Sequence, residues 1–291
     1  IEDFLLYGKN IKTKVDGLYQ KLDTVPLWLM TKGQRAAFMS YFEQLVQAVD
    51  YVNFIDDFDR VYRELKRDKG RFVVLLQNNN EVRSTGGFAG SLLVADVSDE
   101  GVKFDISDIY SFDRLVPLES QIPAPEFFHP LSKTLSLRDA NFWPDFSTSA
   151  KTYQEFFKTT GTKTPHTVFA INLNIIEEVL SITGPIKLKK WNITLNEFNF
   201  DLLLQFLVES KITGRFDPKA PVEMFANSIA NKIQNTPGLG KKLFTEINWE
   251  SFLTSKNLLA YSQDDGVQNF FERVGITSAW QAYNARKLAT M

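Results

Sequence analysis

Residues 72–97 read FVVLLQNNNEVRSTGGFAGSLLVADV, two apolar runs around a polar centre. Phe72 to Leu76 shows no alternation of apolar and polar residues, the pattern of a strand covered on both faces. Ser91 to Val97 predicts a second strand. Between them lies QNNNEVRSTGGFAGS, Gln77 to Ser91, with three asparagines, a glutamate, an arginine and three glycines. A hairpin connection takes about two to five residues. One so much longer inside a compact domain is usually functional or disordered.

The neighbouring sequence extends the strand pattern. VKFDISDIY, Val102 to Tyr110, alternates Val102, Phe104 and Ile106 with Lys103, Asp105 and Ser107, which predicts a third strand with one wet face. Leu115 to Leu137 holds four prolines and reads as an irregular excursion. A helix is expected from about Thr148 to Thr159, then a strand at Thr167 to Ile171 and a helix from Asn174 to Ile182, stopped at Thr183 to Pro185. TLNE, Thr194 to Glu197, reads as a capping box before FNFDLLLQFLV. Further helices are expected from Pro218 or Pro221 toward Gln234, after Gly240 and after Ser262, with a short strand-like LLAYS before the last. Strands with intervening helices predict an α/β domain over residues 69–291, its mixed sheet flanked by helices.

Residues 1–68 read differently. Phe4, Ile11, Val15, Leu18 and Leu22 make one apolar stripe, and Phe38, Phe42, Leu45, Val49 and Val52 make another that Tyr62 and Leu65 extend. Between them, Thr31 and Gln34 of TKGQ have the spacing of a capping box. The expectation is two long helices, 3–22 and 35–65, paired as an N-terminal antiparallel helical hairpin.

Composition bounds the function. The chain has 291 residues, 44% hydrophobic and 23% charged, as in ordinary globular proteins. A net charge of -2 gives no global field for nucleic acid. Cysteine is absent, which excludes disulfides, thiolate metal sites and a cysteine nucleophile. No apolar run reaches the roughly 18 residues of a membrane span. A start at Ile1 without a signal-peptide pattern is expected of an excised fragment. Phenylalanine is abundant, 25 residues, and serves either an aromatic-rich core or an apolar ligand groove. Phe127, Phe128, Phe142 and Trp143 are groove candidates because they sit in irregular segments.

Familiar catalytic signatures do not occur. His129 and His166 have no metal-site spacing. No Walker loop, dinucleotide fingerprint or nucleophile elbow appears. GGFAG, Gly86 to Gly90, leads into a strand rather than a helix, so it lacks the anion site of a helix terminus. Two polar clusters remain. One is the loop itself, with Asn78, Glu81, Arg83, Ser84 and Thr85. The other is SLRDANFWPDFSTSA, Ser136 to Ala150, with Arg138, Asp139, Asn141 and Asp145. Read structurally, Asn and Gly serve turns, Glu81 pairs with Arg83 or Arg138, and Asp145 caps a helix. Read functionally, the two arginines hold a phosphate or pyrophosphate, with Asn78, Glu81 and Asn141 fixing their forks and Asp139 or Asp145 binding Mg²⁺ or acting as base.

These two motifs, followed by TVFAINLNIIEEVLSITGPI, resemble the bacterial family catalogued as domain of unknown function 4012, in order from about Phe72 to Trp280. The resemblance implies export, with a membrane helix in a segment not in this chain and an extracytoplasmic location. More distantly, the order of elements is similar to the LytR-CpsA-Psr family, which transfers glycopolymers from polyprenyl-pyrophosphate carriers. Arg83-Ser84-Thr85 falls where that family has Arg-Ser-Asp-Thr, and Asn141 where it has an Asn-containing loop. Gly184-Pro185 replaces its paired glycines, and its late basic segment falls near Arg215, Asp217 and Lys219. The Asp of Arg-Ser-Asp-Thr is absent here. Two functions follow from the resemblance. One is an envelope protein that binds a lipid-linked glycan, extending to phosphotransferase chemistry. The other is a non-catalytic envelope scaffold. Neither calls for nucleic acid.

Overall fold

Parallel pairing of two strands brings two carboxyl ends together. In the computed structural model, β1 (Arg71–Asn78), β2 (Phe88–Ser98) and β3 (Gly101–Asp108) are followed by a short helix α1 (Ile109–Asp113). Two 3-10 turns, Glu126–Phe128 and Leu137–Phe142, lead to α2 (Phe146–Thr159), β4 (Thr167–Asn172) and α3 (Leu173–Thr183). The chain continues through β5 (Ile186–Leu188), β6 (Ile193–Leu195), α4 (Phe200–Glu209), α5 (Ala220–Asn235), α6 (Leu239–Glu246), β7 (Leu258–Ser262) and α7 (Asp265–Arg273). The structure describes residues 10, 12–18, 20–21, 30–43, 60–61, 63, 70–98, 101–117, 121–210, 220–248, 251 and 255–277.

The strands form a mixed sheet of order β3-β2-β1-β4-β7. Only β1 and β4 run parallel; β1–β2, β2–β3 and β4–β7 are antiparallel. The unbroken apolar run of β1 has the cause inferred from it, because helices cover both faces. Val73 and Leu75 share a core with Leu92, Val168 and Ala170 under Phe146, Ala150, Tyr153, Phe156 and Phe157 of α2. On the opposite face Phe72 meets Phe169 edge-on at 6.0 Å, and Phe169 meets Phe271 of α7 at 5.8 Å. A second apolar cluster joins Leu180 of α3, the β5–β6 hairpin, Phe200 and Leu207 of α4, and Phe225 of α5.

Register then sets which residues share an end. Gln77 pairs with Asn172 in parallel, Asn78 with Phe88, and Ser91 with Asp108. The carboxyl ends of β1, β3 and β4 therefore lie together with the start of β2. Ligands of open α/β sheets bind at the carboxyl ends of strands.

Three sequence expectations change. The polar connection is only residues 79–87, because β1 runs on to Asn78 and β2 starts at Phe88. Pairing shifts from Leu76↔Ser91 to Gln77↔Ala89, leaving Gly90 as the extra residue of a bulge, so the ladder survives the polar sequence. TLNE is not a capping box. Thr194 lies in β6, where ITL pairs with IKL and buries Leu188 and Leu195. Helix α4 starts later, with Asn199 as its first cap and Asn199 Oδ1 accepting from Asn196 N at 2.8 Å. The third strand ends at Asp108, and Ile109 turns inward to be fully buried in α1.

The chain divides into two compact units, Ile1–Arg67 and Asp68–Met291. In the first, residues 12–18, 20–21 and 32–43 are helical. The capping box forms there: Thr31 N donates to Gln34 Oε1 at 3.0 Å, and Gln34 N donates to Thr31 Oγ1 at 3.4 Å. Phe38 and Phe42 stack at 6.1 Å one turn apart. Residues 10, 60–61 and 63 are helical as well; the rest of the expected helices 3–22 and 35–65, and with it their pairing as a hairpin, lies outside the described residues.

Candidate functional site

The two polar motifs meet at the carboxyl end of β1. Thr85 is the junction, 3% exposed. Its Oγ1 accepts from Gln77 Nε2 at 2.6 Å and from Asn141 Nδ2 at 3.2 Å. Asn141 is fully buried, and its Nδ2 also donates to the Gly87 carbonyl at 2.7 Å. The loop reaches this position through its glycines. A Cβ on Gly87 would stand 2.5 Å from the Asn78 carbonyl. Gly86 has φ +123°, and a Cβ there would stand 2.8 Å from Asn172 Nδ2. Only glycine accepts such an approach without strain.

Above this buried centre, two arginines stand on one aromatic pair. The Arg83 guanidinium lies 5.2 Å over the Phe88 ring, and that of Arg138 lies 5.4 Å over the Tyr110 ring. The two rings are 6.3 Å apart. Stacking of guanidinium on aromatic faces is attractive, by about 0.5–1 kcal/mol at exposed sites. Each arginine also has its own carboxylate. Arg83 Nη2 donates to Glu81 Oε1 at 2.8 Å, and Arg138 Nη1 donates to Asp113 Oδ2 at 2.9 Å.

The two pairs differ in how firmly they are fixed. Asp113 is half-buried and also accepts from Leu137 N, which ties α1 to the 3-10 turn that carries Arg138. Burial pushes the Asp113 carboxyl up, against the Leu137 N–H and the Arg138 charge, which pull it down. The Glu81 side chain is 52% exposed, and among the described residues Arg83 is its one partner. Its backbone is what holds the turn: Glu81 N donates to Asn78 O and Phe88 N donates to Glu81 O.

The other residues singled out in the sequence have these places. Asp139 lies 3.8 Å from Arg138 Nε. Asn78 Oδ1 accepts from Asn80 N at 3.1 Å and so shapes the turn. Ser84 is exposed on the loop. Asp145 is the N-cap of α2 and accepts from Ser147 N, Thr148 N, Ser147 Oγ and Thr148 Oγ1. Burial raises its carboxyl, but those four donors outweigh it and leave it below the usual carboxylate range. Arg215, with Asp217 and Lys219, lies outside the described residues. Among the described residues no group of three or more His, Cys, Asp or Glu could hold a metal ion. Asp145 is thus taken up by the cap of α2, and Asp113 by Arg138 and Leu137 N.

An apolar cavity of about 270 Å³ adjoins the loop. Asn78, Glu81, Asp201, Gln205 and Glu209 are among its polar lining, and Leu76, Phe88, Leu173, Phe200, Leu204 and Val208 give its apolar lining. The rings expected to line a groove do something else. Phe127, Phe128, Phe142 and Trp143 pack on one another at 5.3 to 6.0 Å, and Phe128 also rests on the core. The Pro-rich excursion folds back so that these rings meet, with Phe127 and Phe142 still exposed at the surface. The cavity takes its rings from β2 and α4.

Three residues of this site have no sequence signal. Asp113 follows a strand that ends early. Tyr110 reads as strand. Tyr153 reads as one more core aromatic of α2, and it is fully buried with a hydroxyl that has no hydrogen-bond partner among the described residues. Burial, then Asp139 and Asp113, push the Tyr153 phenol far up, with Arg83 opposing.

Several solved structures are similar to this chain. The Lin1025 protein from Listeria innocua is 14% identical over 71% of this chain and 79% of its own, with a TM-score of 0.38. Protein gbs0355 from Streptococcus agalactiae is 12% identical over 73% and 76%, with a TM-score of 0.44. TagV from B. subtilis is 11% identical over 72% and 82%, with a TM-score of 0.38. No curated protein matches the chain. The family model described as "Protein of unknown function (DUF4012)" matches residues 68–206, just under half of the chain, and that stretch holds both polar motifs.

Proposed function

We propose that the carboxyl end of β1 binds an anionic head group joined to an apolar tail, the chemistry of a polyprenyl-(pyro)phosphate-linked glycan in a bacterial envelope. Phe88 joins the two halves of the site. One face of its ring carries the Arg83 guanidinium, and the ring also lines the apolar cavity. A phosphate on Arg83 therefore has an apolar space beside it for the first isoprene units. A volume of about 270 Å³ is near the lower end of small-molecule pockets, roughly 300–1,000 Å³, and takes part of a tail rather than all of it. Arg138, on the neighbouring Tyr110 ring, is the second cation available to a diphosphate. Extracytoplasmic location and membrane attachment through a segment outside this chain follow from the family resemblance. Among the described residues no helix is long and apolar enough to cross a membrane.

Calorimetric titration with geranyl diphosphate tests this. The wild-type protein binds it more tightly than geraniol or inorganic pyrophosphate, and Arg83→Ala weakens binding about tenfold or more, the worth of a charge-assisted hydrogen bond. No binding, or binding indifferent to Arg83→Ala, overturns the proposal.

A scaffold role is the second reading, and the pairing of both arginines with carboxylates favours it. Under that reading Arg138→Ala lowers stability and geranyl diphosphate does not bind.

A further inference from the structure

Resting on the binding role above, we infer that Glu81 is a displaceable stand-in for the ligand's anion, occupying Arg83 when the site is empty and leaving it when a phosphate arrives. The two ion pairs are asymmetric. Asp113 cannot leave Arg138 without also releasing the Leu137 N–H, because one carboxylate serves both. Glu81 has no such second duty for its side chain. Its main chain carries the turn through Asn78 O and Phe88 N, so the carboxylate can rotate away while the loop keeps its shape. Glu81 also lines the cavity beside Phe88, so its carboxylate stands at the junction of guanidinium and apolar space where a lipid phosphate would sit.

An internal carboxylate of this kind sets selectivity. Any anion must compete with Glu81, and a small anion gains only the exchange of one partner for another. An anion with an apolar tail gains burial in the cavity as well. Glu81 thus discriminates against free phosphate and leaves the amphiphile bound. It also keeps Arg83 in place over Phe88 while the site is empty.

Calorimetry with geranyl diphosphate and with inorganic pyrophosphate, on five proteins, tests the inference. Glu81→Gln tightens both ligands about two- to fivefold, the range that an exposed ion pair is worth. The relative gain is larger for pyrophosphate, which has no tail to compensate. Arg83→Ala and the double variant Glu81→Gln/Arg83→Ala bind equally weakly, because the gain needs Arg83. Glu155→Gln removes a charge outside the cavity, where its carboxylate pairs with Lys158 on α2, and brings no gain. A Glu155→Gln gain equal to that of Glu81→Gln makes the effect one of bulk charge and overturns the inference. So does an Arg83-dependent wild-type affinity that Glu81→Gln leaves unchanged or weakens, in which case the binding role itself stands. If neither Glu81→Gln nor Glu81→Ala folds, Glu81 is a brace and the inference is wrong. If no variant binds geranyl diphosphate, the binding role fails and this inference with it.

Discussion

Asn141 Nδ2 lies 3.2 Å from Thr85 Oγ1, a contact that joins residues 56 apart in the chain. Thr85 accepts here while also accepting from Gln77, so a single hydroxyl holds β1, the loop and the second motif together. Thr85→Val keeps the shape and removes the acceptor. Two buried amide donors then lose a partner, at about 1–3 kcal/mol for each unsatisfied group. Urea denaturation of Thr85→Val is expected to show a lower midpoint with an unchanged slope. Asn141→Ala, which leaves the Gly87 carbonyl without its donor, falls in the same range.

Gly87 sets how closely the loop crosses β1. A Cβ there meets the Asn78 carbonyl carbon and oxygen at 2.5 Å and Asn79 N at 2.6 Å, all backbone atoms that cannot rotate aside. Gly87→Ala therefore shifts the loop and costs about 1–3 kcal/mol, as overpacking does elsewhere. Because Phe88 and Glu81 move with the loop, geranyl diphosphate binding falls in parallel. Thermal denaturation and titration on the same sample check both.

These residues also show what the sequence made legible. The covered strand was readable from FVVLL because sheet burial on both faces leaves an unbroken apolar run. The ends of β1 and β2 were not, since Asn78 and the glycines around Phe88 look like loop while the bulge at Gly90 keeps them paired. Two polar clusters were readable as one candidate site, because Arg, Asn and Asp at strand ends are few and stand out. Partner choice was not. Arg138 pairs with Asp113, 25 residues upstream, and no local pattern specifies a contact made by folding the Pro-rich excursion back. TLNE failed for a related reason: capping-box spacing is short and common, and pairing of ITL with IKL overrode it.

Asp145 gives a pH-dependent prediction. Its native carboxyl lies below the unfolded value of 3.8, since hydrogen bonds from Thr148 and Ser147 outweigh the upward push of burial. The unfolded state therefore binds the proton more tightly, and the resulting stability is fully present above the unfolded value and lost as pH falls through the native one. Asp145→Ala removes the cap of α2 at a cost of about 0.5–2 kcal/mol near neutral pH. The gap between wild type and variant should stay level down to about pH 5 and then narrow as acid protonates Asp145. Guanidinium denaturation across a pH series checks it. A gap that widens in acid would reverse the assigned sign.

Tyr153 is the residue where stability and site part company. Its ring fills the core under the sheet, and its hydroxyl, fully buried, has no partner among the described residues. A buried hydroxyl left unpaired costs about 1–3 kcal/mol, whereas removing it with the same ring in place is neutral or favourable. Burial and the nearby charges of Asp139 and Asp113 also keep the phenol protonated, so ionisation offers no relief. Tyr153→Phe is therefore expected to be at least as stable as wild type, by up to about 1 kcal/mol in urea. Arg83, Asp113 and Asp139 all act electrostatically on this phenol. A variant that gains stability and loses affinity for geranyl diphosphate would mark Tyr153 as a ligand-facing donor. One that loses stability would show that the hydroxyl is bonded in solution and serves the core alone.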